Sequence, residues 1–356
     1  MKAIVLCAGR GTRLRPLTHT TAKHLIPVAN KPVLAYSLET IKKAGITDVA
    51  LIVAPHNKEV FMETFKDGSE YGLKIEYVVQ EEPKGLAHAV WVARDFIGES
   101  DFLMYLGDNL IMEDLKPFVE DFKVSGVDAS ILLTPVEDPR RFGVAVVEGG
   151  KVVRVIEKPK EPPSNLAIVG VYLFKPVIFE GIENIKPSWR GELEITDAIE
   201  YLIERGYKVK AHVIYGWWKD TGKPEDLLEA NRKILEMMKG VSIRGDVDEN
   251  SVIQGSVEIG DGSVIVDSVI RGPVVIGKES VIKSSYIGPY TSIGDNVTVD
   301  GCEVENSIVM DESVIVNVPE RLDGSILGKG VKVKRGKGKP RSVRLILGDL
   351  SSVEMP

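Results

Sequence analysis

The feature that most restricts the fold lies in the last third of the chain. After Gly240 the helix signals vanish and apolar residues recur every six positions. Ile253, Ile259 and Ile265 form one such run. Val264, Ile270, Ile276 and Ile282 form a second, and Val281, Ile287, Ile293 and Val299 a third. Gly260, Gly277, Gly288 and Gly294 each follow one of these isoleucines. Repeats of this length build a parallel β-helix, in which each flat side takes one unit and the aliphatic residue points into the prism. Stacked coils then bury a continuous aliphatic column, and several are needed for stability. A sandwich of short strands is the competing architecture, but Ile-Gly steps at period six favour the β-helix.

The preceding residues have a different texture. Ala3–Leu6, Val49–Val53, Ile75–Val79 and Phe102–Leu106 are short apolar runs, as in strands covered on both faces. Helical patterns, such as Val33 to Ala44 and Leu86 to Phe96, separate them. This alternation predicts an α/β domain over 1–240 with a mostly parallel sheet, followed by the β-helix over 241–356. In such sheets ligands gather at the carboxyl ends of the strands. That rim would carry the loop after Leu6, Gln80 and Asp108. Val144–Val147 and Val152–Ile156, joined by Gly149-Gly150, read as a hairpin. Asn165 to Phe174 reads as another strand. A helix is expected from Arg190–Asp197 to Glu204, and another over Pro224–Lys239. A last strand is expected at Val343–Asp349.

The first strand runs into Cys7-Ala8-Gly9-Arg10-Gly11-Thr12-Arg13-Leu14-Arg15-Pro16. Glycines let backbone N–H groups approach an anion, and arginine adds planar donors for phosphate oxygens. The loop reads as a polyphosphate cradle, although it is neither a P-loop nor a full dinucleotide fingerprint. Lys23 follows in Ala22-Lys23-His24-Leu25-Ile26-Pro27-Val28, and Lys31-Pro32 opens the next helix. Gly107-Asp108-Asn109 ends a strand; a magnesium ligand and an Asx turn explain it equally well. Trp217-Trp218-Lys219-Asp220-Thr221-Gly222 is a second carboxylate motif, with helix capping as its structural alternative. Glu192 and Glu194 are explained by the dipole of the helix that follows them. Lys332 to Arg344 is rich in cations and reads as a solvated loop.

Taken together, Gly9–Pro16 and Lys23–Pro32 resemble the opening signature of the sugar-1-phosphate nucleotidyltransferases, and within them the long-form glucose-1-phosphate thymidylyltransferases. The later motifs extend the resemblance over nearly the whole chain. It implies a Rossmann-like catalytic domain and a left-handed β-helix. It implies nucleotide contacts at Leu6, Ala8, Gly9, Gly11, Thr12, Arg13, Gln80 and Gly85, with Gln80 and Gly85 at the base. Sugar-phosphate contacts would be Gly143, Glu157, Lys158, Thr196 and Trp218. Asp108 and Asp220 would hold Mg²⁺, and Arg13, Lys23 and Lys158 would complete the catalytic set. The implied reaction joins dTTP to glucose 1-phosphate, giving dTDP-glucose and pyrophosphate, by in-line attack at the α-phosphate.

Alternatives stay open. Thymine and uracil share a hydrogen-bonding edge, so UTP is a rival substrate. Acetyl transfer by the β-helix calls for a base there, and all five histidines precede the repeats. A non-catalytic regulator of the same architecture would be expected to have degenerate motifs, whereas the aspartates and cations here are all present. The formal net charge of −7 disfavours nucleic acid as a partner. No run of 18 apolar residues and no signal-peptide pattern occurs, so no membrane partner is expected. Two cysteines in different halves suit a reducing cytoplasm. A homo-oligomer is expected, with subunit contacts on the ends and sides of the β-helix.

Overall fold

The structure, a computed structural model, describes residues 1–335. The chain divides into two compact units, Met1–Met237 and a second beginning at Met238. The first is built on a nine-stranded sheet. Its spatial order begins Lys74–Val79, Asp48–Val53, Lys2–Leu6 and Phe102–Leu106, all parallel. The sheet then departs from the parallel expectation. Leu166–Phe174 runs antiparallel to both Phe102–Leu106 and Ala129–Pro135. Val209–Val213 follows parallel to Ala129–Pro135, and the hairpin of Lys151–Glu157 and Gly143–Glu148 closes the far edge. The two strands of that hairpin pair antiparallel, as their tight connection requires, while the helices Ile178–Asn184 and Ile195–Glu204 still connect Leu166–Phe174 to Val209–Val213.

Alternation along the strands explains why the central ones read as continuous apolar runs. Ala3, Val5 and Cys7 pack into one core, with Leu34, Leu38, Leu51, Phe61 and Tyr105. Ile4 and Leu6 pack into the other, with Ile52, Val90, Phe102, Met104 and Ile199. Both faces are dry, so no polar face interrupts the pattern. The helix expected over Leu86–Phe96 is two, Leu86–Trp91 and Arg94–Ile97, with a break at Val92-Ala93. Gly149 and Gly150 make the expected hairpin turn, both at positive φ (55° and 80°), as a two-residue turn between strands of this twist demands.

The second unit winds parallel strands into three sheets, two of six strands and one of five. Val257 pairs with Val274 and Val274 with Thr291, so one coil is 17 residues. This is a parallel β-helix. The inward column runs Ile259, Ile265, Ile270, Ile276, Ile282, Ile287, Ile293 and Val299, all at most 1% exposed. Two sides of a coil step by six residues and the third by five. Val264 and Val281, placed on the column by a strict period of six, therefore stand one residue before it and are only half-buried. At one corner Gly262, Glu279, Asn296, Glu312 and Gly330 stack in the left-handed region. The N–H groups of Glu279, Asn296, Glu312 and Gly330 each donate to a carbonyl of the preceding coil. The cationic stretch expected to be a loop opens instead as a strand, Lys332–Lys334, paired with Val314–Val316. The strand expected at Val343–Asp349 lies outside the described residues.

Candidate active site

Three segments from the carboxyl ends of parallel strands meet at one rim. The strand Lys2–Leu6 ends at Cys7, whose N–H still donates to Ile52 O. The glycine loop then turns through Gly11 (φ 61°) into a 3-10 turn, Thr12–Leu14. Thr18 Oγ1 donates to Gly11 O at 2.7 Å and holds the turn. A Cβ on Gly9 would lie 3.3 Å from Lys23 Cε, so a larger residue would crowd the lysine. Beside this loop lies a cavity of about 480 Å³. Leu6, Ala8, Gly9, Thr12, Gln80 and Gly85 line it, together with Lys23 and Asp108. Gly11 and Arg13, expected on the same wall, do not reach it. Gly11 serves the turn behind it.

Asp108 and Asp220, 112 positions apart, are brought together by a two-stranded ribbon. Trp218–Asp220 pairs antiparallel with Asn109–Ile111, with Asp220 opposite Asn109. Thr221 donates twice to Asp108 O, from N at 3.0 Å and from Oγ1 at 2.8 Å. The Lys23 ammonium is paired with Asp108 Oδ2. Asn109 Nδ2 donates to Asp108 Oδ1 at 3.0 Å. Burial pushes the Asp108 carboxyl up, but Lys23, His24 and these hydrogen bonds outweigh it and hold the group well below the usual range. Burial and the Asp108 charge push Asp220 up to about 6, against Lys23 and Arg13. Arg13 lies on the Asp220 side: a Cβ on Gly222 would come within 2.8 Å of Arg13 Nη2. Lys219 points away, pairing with Glu229 at 2.5 Å, because neighbours in a strand face opposite sides. Among the described residues, no group of three or more His, Cys, Asp or Glu is placed to hold a metal.

The expected sugar residues form a second cluster. Thr196 Oγ1 donates to Glu157 Oε2 at 3.3 Å. A Cβ on Gly143 would come within 3.0 Å of Thr196 Cγ2 and 3.3 Å of Glu157 Oε2. Lys158, at positive φ, pairs with Glu157 Oε1 at 3.3 Å. Trp218 is tied to the aspartate side: its Nε1 donates to Asn109 Oδ1 at 2.6 Å, and its ring meets Phe142 edge-on. Glu194 does not cap its helix by a side-chain hydrogen bond; it is 2% exposed and bound to Ser188 and Arg190.

Comparison with known proteins places this arrangement. A family model described as Nucleotidyl transferase matches residues 2–237. The chain belongs to that family. Over the full length of both chains it is 50% identical to the low-salt glycan biosynthesis nucleotidyltransferase Agl11 of Haloferax volcanii. It is 50% identical to a glucose-1-phosphate thymidylyltransferase of Streptomyces antibioticus, covering 100% of this chain and 99% of that one. It is 41% identical to the UTP–glucose-1-phosphate uridylyltransferase AglF of Haloferax volcanii, covering 66% of this chain and 97% of that one.

Three residues of this nucleotidyl transferase escape motif reading. Asn109 binds both Asp108 and Trp218, and its carbonyl accepts from Ser37 and Tyr105. Arg190 pairs with Glu157, Glu192 and Glu194 at 3.6, 3.2 and 3.2 Å. Glu192 lines the cavity, so Arg190 joins the two clusters. His88 sits 3.0 Å from Gln80 Nε2. Asn109 adjoins Asp108, and Arg190 lies two residues before Glu192, which was the available signal. Gly85 also has a role the motif did not disclose. Its φ is +107°, and a Cβ there would strike Leu193 O at 2.5 Å. The glycine admits the Leu193 main chain, which bonds to Lys84 O and Ala87 N.

Proposed function

We propose that the protein transfers a nucleotidyl group from dTTP to glucose 1-phosphate, giving dTDP-glucose and pyrophosphate. The observation that carries this reading is the meeting of Asp108 and Asp220 with Lys23 and Arg13 beside the glycine loop. A hard divalent cation fits the donor set: two carboxylates converge, and an ammonium group already occupies one of them. Mg²⁺ would be held by Asp108 and Asp220, as is general for the family, and would neutralise charge on the triphosphate. Lys23, beside Asp108, would bind phosphate oxygens. Arg13 adds charge on the Asp220 side, and Lys158 holds the attacking sugar phosphate. Glu157 and Thr196 accept and donate at the sugar hydroxyls, and Gly143 leaves room for the ring. Catalysis is then positioning and charge neutralisation, with no covalent intermediate on the protein.

UTP is the second reading, favoured by the likeness to a uridylyltransferase. Thymine differs from uracil by one methyl group, worth roughly tenfold or somewhat more in a pocket. Intact charged groups at every expected position speak for an enzyme over a regulatory subunit. Pyrophosphate release with dTTP or UTP, against glucose 1-phosphate or N-acetylglucosamine 1-phosphate, tests the reading. The highest kcat/KM is expected for dTTP with glucose 1-phosphate. A higher value with UTP would replace the nucleotide, and no release from any pair would remove the proposal.

A further inference from the structure

We propose that His88 is a specificity-positioning residue: it orients the Gln80 side-chain amide so that a base bearing an N–H donor is accepted and cytosine is refused. The inference rests on the reading of Gln80 as the residue that meets the base. Gln80 follows the strand Lys74–Val79, is 5% exposed and lines the cavity. Its Nε2 lies 3.2 Å from Gly85 O and 3.0 Å from His88 Nδ1.

These two contacts determine the amide. A backbone carbonyl accepts and never donates, so the atom facing Gly85 O is the nitrogen. The second hydrogen of that nitrogen meets His88 Nδ1, which must then be the unprotonated nitrogen of the ring. Both amide hydrogens are committed, and Oε1 is the group left over. Thymine and uracil carry a donor at N3, which an oxygen satisfies; cytosine N3 is an acceptor and would face it without a proton. Burial and the Lys84 charge lower the proton affinity of His88, with Glu82 opposing. The frame is rigid, because the Lys84–Ala87 segment is pinned to Leu193 by bonds of 2.7 and 3.0 Å. Without His88 only the 3.2 Å bond to Gly85 holds the amide, and a flipped glutamine would offer its NH₂ to cytosine.

The test is calorimetric titration of dTTP and dCTP, with Mg²⁺, into the full chain and its variants. His88→Leu is expected to weaken dTTP binding roughly tenfold and to narrow the dTTP/dCTP preference. His88→Gln, which restores an acceptor on a side chain of similar reach, is expected to recover much of that preference, an outcome a purely structural role would not produce. His88→Ala gives the same readout should the leucine variant fail to fold. An unchanged preference in His88→Leu or His88→Ala overturns the inference when Gln80→Leu abolishes that preference. If Gln80→Leu also leaves the preference intact, Gln80 does not read the base and the inference falls with that reading.

Discussion

The two units use the same residue types to opposite ends. In the nucleotidyl transferase unit, Asp108 and Asp220 face each other with cations around them, and burial with mutual repulsion raises Asp220. In the β-helix, Asp295 and Asp311 are committed to structure: each Oδ1 accepts a backbone N–H of the coil before, from Lys278 at 2.7 Å and Asp295 at 2.9 Å. Serines follow the same division. Ser251, Ser268 and Ser285 each accept, through Oγ, the N–H of the residue one coil on, at 3.1, 3.1 and 3.2 Å, and the last of these is Cys302. Cys302 continues the ladder with its sulfur, accepting from Val318 N at 3.3 Å. These aspartates and serines, with Cys302, are thus satisfied by the neighbouring coil. At the rim of the first unit, opposed carboxylates and cations remain to meet a ligand.

Four substitutions probe this division. The largest effect is expected from Asp108→Asn, which should lower kcat by about 10²–10³ while leaving the melting temperature nearly unchanged. Near-normal turnover with Mg²⁺ would place Asp108 on the structural side. Ile282→Ala should do the reverse. It empties part of the aliphatic column and costs about 2–5 kcal/mol by denaturant unfolding, with KM values intact. A large change in KM would mean that the β-helix shapes the catalytic site.

Gly143→Ala is intermediate. Its Cβ would press on Thr196 and Glu157. KM for the sugar phosphate should rise roughly tenfold, with the nucleotide KM unmoved. Equal effects on both substrates would show that the two clusters act as one. Cys302→Ser should be nearly silent, within about 1 kcal/mol, because serine occupies the equivalent place in three earlier coils. A loss well beyond that would show that the sulfur packs in a way a hydroxyl does not.

Local pattern made much of this molecule legible. Gly9 and Gly11 announce a loop with close main-chain approach, and Gly149-Gly150 announces a hairpin, because positive φ or absent Cβ is a property of single residues. The aliphatic column was readable because each coil contacts only its neighbours, so tertiary structure there repeats local sequence. Even so, the side of five residues was not. A one-residue change of step alters which of Val264 or Ile265 points inward, and both are apolar.

The amino-acid sequence alone determined that a glycine-rich loop follows the first strand and that a parallel β-helix comes after the α/β unit, and which carboxylates and cations the chain carries. Only the tertiary structure decided which of them meet. Asp220 reaches Asp108 through pairing with Asn109, Arg190 ties Glu157 to Glu192, and His88 reaches Gln80. The physical reason is that hydrogen bonds and charge pairs act over a few ångströms in space. Separation along the chain carries no information about that distance once a sheet of mixed direction has folded the segments together.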